Sequence, residues 1–284
     1  MAKNSTGGTS SPGWRAEATE ALATLREAVL LARDLAPVLP HVQHGDDIVV
    51  LIHGIFASAG VFRPLRRHIE KVTGARVASF THLPGVGVRR IALSLAKMVD
   101  RIPRSARVHI VGHSMGGLIA RWYVDELGGH SRVVQTISLA SPFGGAPAAQ
   151  RFPFLVGNDL APASELLESL REKARPEVPH LSIVGTADRL VFPQARATFA
   201  HGDSVVLEGR GHNSLLYDTE VARLVVERIL QARARHVAET SRVEMPAALD
   251  GPDANENGAA PRHSGFTLGP DADADDEDDA TDAA

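Results

Sequence analysis

The chain has 284 residues, 44% of them hydrophobic, a formal net charge of −4 and no cysteine. That length and apolar content suffice for one large α/β domain with tails. The missing cysteine excludes a disulfide framework, a thiolate metal centre and a thiol nucleophile. Charge is unevenly spread: from Val237 onward there are 13 acidic and 2 basic residues, against 21 and 28 in residues 1–236. A mildly basic body with a strongly acidic tail is therefore expected, with an ordinary Arg-rich surface and no nucleic-acid partner.

Residues 1–13 are polar, rich in Ser, Thr and Gly, and read as a disordered leader without the charged-then-apolar run of a secretory signal. With no apolar run long enough to span a bilayer, the expectation is a cytoplasmic protein. Residues 14–40 form an amphipathic segment. The helix is expected over 14–36, with Leu22, Leu25, Val29, Ala32 and Leu35 on one stripe packing on the domain, and Pro37 and Pro40 end it. The alternative for this helix is contact with a membrane surface or a partner.

Strands and helices then alternate through an expected domain at 41–236. Strands are expected at Asp47–Ile52, Arg76–Phe80, Arg107–Val111, Val133–Leu139, Leu181–Val184 and Ser204–Leu207. Helices are expected at Val61–Val72, Val88–Arg101, from the turn after Val111 to Leu127, and at Thr219–Arg235. Apolar runs of this kind between amphipathic helices indicate an α/β three-layer sandwich around a mostly parallel, six-stranded sheet. An insertion at about 142–179, with a short helix at Ala163–Lys173, interrupts the rhythm and is expected to form a lid over the strand ends. Residues 237–284 have too few large apolar groups to offset ordering entropy and read as a disordered acidic tail.

The most informative segment is Gly112-His113-Ser114-Met115-Gly116. It follows the β-branched run Val108-His109-Ile110-Val111 and opens a helical stretch. A serine on such a strand–turn–helix elbow is pushed out of the sheet, and the flanking glycines permit the tight turn and the close passage of the helix. Its hydroxyl needs a base, and the base needs a carboxylate to fix its tautomer. Asp188 follows the fifth strand and His212 the sixth, so both stand at the strand ends where Ser114 stands, in the chain order Ser, Asp, His. Asp203 is the rival acid but precedes the sixth strand, at the opposite edge. For the oxyanion, one donor is the N–H of Met115. The other comes from the loop after the first strand, His53-Gly54-Ile55-Phe56, as the N–H of Ile55 or of Phe56. His53 reads as a structural hydrogen-bonder. The run His41 to Asp47 has metal-like spacing but reads as a surface turn, so no metal and no cofactor are expected.

On these segments, together with Leu139-Ala140-Ser141-Pro142-Phe143-Gly144-Gly145, Asp159 through Ser164 and Gly211 through Leu216, the chain resembles the α/β-hydrolase fold over roughly residues 47–235. More narrowly, it resembles bacterial triacylglycerol lipases and esterases and PGAP-type lipid deacylases. The resemblance implies Ser114 as nucleophile, Asp188 as acid, His212 as base, and Ile55 with Met115 as oxyanion donors. The expected reaction is hydrolysis of a carboxylic ester of a small molecule or lipid. Phe56, Phe143, Phe152, Phe154 and Leu155 are expected to line the acyl site. Acyl transfer by the same triad and a catalytically silent interaction protein are the alternatives. Oligomeric state is not legible.

Overall fold

The structure, a computed structural model, describes residues 13–30, 33–147, 158–175 and 177–244. Six strands form one sheet: β1 (Asp47–Ile52), β2 (Arg76–Phe80), β3 (Arg107–His113), β4 (Val133–Leu139), β5 (His180–Gly185) and β6 (Asp203–Leu207). Their order is β2-β1-β3-β4-β5-β6 and every pairing is parallel. One antiparallel bridge, Val38 with Ser79, is added at β2. The expected six-stranded parallel sheet is present, each strand within two residues of its expected limits.

The strands are continuous apolar runs because both faces of the sheet are covered. Ile48, Val50 and Ile52 pack on one side, with α3 (Val88–Val99), α4 (Met115–Glu126) and α5 (Glu165–Glu172). Val49 and Leu51 pack on the other, with α2 (Arg63–Thr73) and α6 (Thr219–Glu244). Alternate residues of β1 thus feed opposite cores, as the two-residue period of a strand requires. Local chemistry sets the helix ends. Proline stands in the first turn of α2 and Gly74 closes it at φ 68°, while the Ser164 hydroxyl accepts from Leu167 N at the start of α5.

Three expectations are corrected. The first concerns α1 (Trp14–Leu30), which docks on the domain with the opposite face to the one expected. Leu22, Leu25 and Val29 are 68%, 63% and 64% exposed, and Leu35 is exposed as well, whereas Ala23 is buried. The inward side carries Glu20 and Glu27, because polar backbone groups and an imidazole are what it meets. The second concerns the insertion, whose helix α5 packs into the body, while residues 148–157 lie outside the described residues. Leu166, Leu167 and Leu170 of α5 are buried in the core beside α4, since this amphipathic helix has an apolar face to bury. Phe152, Phe154 and Leu155 lie outside the described residues. The third concerns α6, which continues to Glu244, beyond the expected end at Arg235 and into the expected tail, the helical pattern there containing no Gly or Pro to stop it. Residues 1–12 of the expected leader, Ala32 of the expected stripe and residues 245–284 lie outside the described residues. Among the described residues, no helix is long and apolar enough to cross a membrane.

Candidate active site

Parallel strands deliver all their carboxyl ends to one rim, and the candidate residues gather there. Ser114 sits between β3 and α4 with φ 52° and ψ −122°, a region that side-chain-bearing residues avoid. The surroundings hold it there. Ser114 N donates to Leu139 O at 2.8 Å. A Cβ on Gly116 would lie 2.1 Å from Ile52 O, and one on Gly112 would lie 2.3 Å from the Gly116 carbonyl carbon. Both glycines are therefore demanded by close backbone approach.

His212, in the loop after β6, is buried and donates from Nδ1 to Asp188 Oδ2 at 2.8 Å. The other carboxylate oxygen, Oδ1, accepts from Leu190 N at 2.8 Å and Val191 N at 2.9 Å. Burial would raise the Asp188 pKa, but the His212 charge and these hydrogen bonds hold it below the ordinary range. For His212, burial acts to lower the pKa. The Asp188 charge and hydrogen bond, followed by the charges of Glu20 and Glu27, carry it above 6.5 nonetheless. The third contact of the set, Ser114 Oγ with His212 Nε2, is not closed as a hydrogen bond. Triads often tighten only around bound substrate.

His113, next to the serine, connects the two loops. Its Nε2 donates to the His212 carbonyl oxygen at 3.1 Å, and the two rings lie 4.9 Å apart. Burial, then the His212 charge, push its pKa down to about 3, so it is a neutral strut.

The loop after β1 adjoins the nucleophile. A Cβ on Gly54 would stand 2.8 Å from Ser114 Cβ, so glycine is what lets the Gly54–Ile55 peptide approach. His53 Nδ1 donates to Gly54 O at 2.7 Å, and its Nε2 accepts from His82 N at 3.1 Å. His82 Nε2 returns a bond to His53 O at 3.1 Å, with the rings stacked 3.9 Å apart. Burial, then His82, lower the His53 pKa to about 3, which keeps it an uncharged structural group. Because it holds the Gly54 carbonyl, His53 also fixes the direction of the Ile55 N–H in the same planar peptide. Phe56 follows at φ 61° with its ring 52% exposed on the rim. Phe143 is elsewhere: it is 6% exposed and packs against His180 and Phe199 in the core.

Sequence reasoning missed His82, His113, Glu20 and Glu27. Glu20 Oε1 accepts from Asn213 N at 2.7 Å and Oε2 from Ser214 N at 2.9 Å, from 193 and 194 residues earlier in the chain. Glu27, on the same helix, has its pKa pushed up to about 7, chiefly by burial. No local pattern announces such long-range partners. The only signal for His113 was its place inside the elbow. At the opposite rim, Asp47 of the His41–Asp47 run is occupied by Arg107, His109 and Arg233. The described residues contain no group of three potential metal ligands.

Residues 42–171 match the family described as "Putative serine esterase (DUF676)". The mature lipase BlEst2 of Bacillus licheniformis superposes with a TM-score of 0.55 at 14% identity, covering 68% of this chain and 95% of that one. Est1E of Butyrivibrio proteoclasticus, with ferulic acid bound, gives 0.53 at 16% identity, covering 70% and 94%. Likeness at these identities establishes the fold.

Proposed function

Taking as premise that this chain has the α/β-hydrolase fold and that its residues 42–171 match a serine esterase family, we propose that it hydrolyses carboxylic esters through an acyl-enzyme on Ser114. The observation that carries this is the buried His212–Asp188 pair at the rim where the strained Ser114 stands. The Ser114 hydroxyl attacks the ester carbonyl while His212 Nε2 takes its proton. Asp188 holds the Nδ1–H tautomer and offsets the imidazolium charge. The N–H groups of Ile55 and Met115 receive the oxyanion, each such donor contributing roughly 3 kcal/mol of barrier lowering. Collapse breaks the C–O bond, and His212 passes its proton to the leaving alcohol. Water, deprotonated by the same imidazole, then releases the acid and restores Ser114.

The acyl group lies against Ile55 and the exposed ring of Phe56, which favours an apolar chain from a small-molecule ester or lipid. Phe143 is left out of this lining because its ring is committed to the core. A panel of p-nitrophenyl esters of increasing chain length, with a fluorophosphonate probe, tests the reading. Turnover and labelling are expected in the native protein, and both should vanish in Ser114→Ala. Absence of labelling in the folded native protein would overturn it.

A further inference from the structure

The amino-terminal helix lies outside the segment that matches the esterase family, yet it reaches the loop carrying His212. α1 is fastened at both ends. Near its start, Glu17 pairs with Arg189, in the loop after β5, at 2.5 Å. Beyond its end, Asp34 pairs with Arg63 at 2.6 and 2.9 Å, Thr81 Oγ1 donates to Asp34 O at 2.9 Å, and the Ser58 hydroxyl lies 2.9 Å from Arg33 O. Between these ties the Glu20 carboxylate straddles two successive backbone N–H groups, those of Asn213 and Ser214. These are the first two residues after His212. Thr24 adds an acceptor for the Asn213 side chain at 3.2 Å.

The residue before His212 is shaped to the same carboxylate. A Cβ on Gly211 would fall 2.3 Å from Glu20 Oε2 and 2.7 Å from its carboxyl carbon. Gly211 is not at a positive φ, so what glycine supplies there is room for the Glu20 carboxylate.

We propose that Glu20 is a positioning residue for the catalytic base: its carboxylate clamps the 213–214 backbone so that His212 stays turned toward Ser114, and its negative charge favours the imidazolium formed when the serine loses its proton. This rests on the ester-hydrolase reading for its catalytic consequence, though the clamp and the charge act on His212 whether or not an ester is bound. The charged and titratable groups around that imidazole are Asp188 at Nδ1, His113 against the ring, and Glu20 and Glu27 from α1. Glu20 is distinct among them in joining a charge to a hold on the backbone that follows His212, whereas His113 holds the His212 carbonyl without charge.

The test compares Glu20→Gln, Glu20→Ala and Gly211→Ala with the native protein and with Glu17→Gln, which removes a different, exposed tie of the same helix. Helicity and melting temperature verify that each variant is folded. Glu20→Ala is expected to lower kcat by about 10- to 100-fold, as loss of alignment does, with KM little changed. Gly211→Ala should reproduce it by displacing the carboxylate with a methyl group. Glu20→Gln, which keeps the shape but loses the charge and one of the two acceptors, should retain more activity than Glu20→Ala and move the acid limb of kcat/KM to lower pH. Glu17→Gln should leave both unchanged. A second readout needs no substrate: the NMR titration of the His212 imidazole, assigned by its loss in His212→Gln, should shift to lower pH in Glu20→Gln. Should no ester be turned over by the native protein, the hydrolase reading fails by itself, and the titration still decides whether Glu20 acts on His212. A folded Glu20→Gln with an unmoved His212 titration, or a folded Glu20→Ala with native kcat, overturns the proposal.

Discussion

At the scale of single residues, the site depends on charge arrangements that burial would oppose if they stood alone. His212 is surrounded by protein, yet its protonated form is favoured because Asp188, Glu20 and Glu27 all face it. As a general base it must be neutral before attack, so activity should be lost as pH falls through its pKa, which is raised. The acid limb of kcat/KM is therefore expected at a midpoint above 6.5. In Asp188→Asn the amide no longer offers a charged acceptor at Nδ1, and the imidazole favours the wrong tautomer. A drop in kcat of about 10³- to 10⁴-fold is expected, measured at saturating ester with the fold verified by circular dichroism; activity near native would exclude Asp188 from this role. The placement of Ser114, Asp188 and His212 at one rim was legible in the sequence because each lies in a loop immediately after a strand, and strand ends can be read from apolar runs. His82, His113 and Glu20 were not legible, since each acts through a partner that only the folded chain brings near.

At the scale of elements, α1 shows what periodicity can and cannot give. The spacing of Leu22, Leu25 and Val29 correctly marks a helix with a stripe, but spacing carries no sign that says which side meets the domain. The inward side makes its contacts with carboxylates and a hydroxyl, and the leucines face out. Leu25→Gln should accordingly change stability by no more than about 0.5 kcal/mol, the range of ordinary surface substitutions. Chemical denaturation measures this, and a loss of several kcal/mol would mean that the stripe is buried after all. The helix of the expected lid met a similar limit. Its composition was irregular enough to suggest a cover, yet α5 carries Leu166, Leu167 and Leu170, and those side chains belong to the core. The same region is tied to α4 from beneath, where the buried Arg121 pairs with Asp125 and donates to the carbonyls of Arg175 and Val178. A charged pair so enclosed holds its place because each of its hydrogen-bonding groups finds a partner.

At the scale of the whole molecule, the parallel sheet separates two kinds of polar chemistry. One rim holds Ser114, Asp188 and His212. The other holds Asp47 at the start of β1, which receives Arg107 from β3 at 2.6 Å, His109 at 3.2 Å and Arg233 from α6 at 2.6 Å. Burial would raise the Asp47 pKa, but hydrogen bonds from His109, Arg107 and Arg233 hold it far below the usual carboxylate range. A group depressed in the folded state contributes stability that is present above its unfolded pKa, near 4, and lost as pH falls toward the folded value. The unfolding free energy should therefore decline as pH drops below about 4, and Asp47→Asn should flatten that decline while lowering stability at neutral pH. Denaturant titrations at a series of pH values read both, and an unchanged slope in the variant would remove Asp47 from this role. The fold itself was the most legible level, because six apolar runs alternating with amphipathic helices leave few ways to arrange a covered parallel sheet.

The anchoring cluster around Asp47 has a practical corollary. Because β1 and β3 each begin in that cluster and end in the loops of Gly54 and Ser114, the seven residues of β3 separate one tie of the fold from the proposed reaction site. Laboratory evolution aimed at new esters could remodel residues near Phe56 while reinforcing the Asp47 end independently, so that gains in substrate scope need not be traded against heat tolerance.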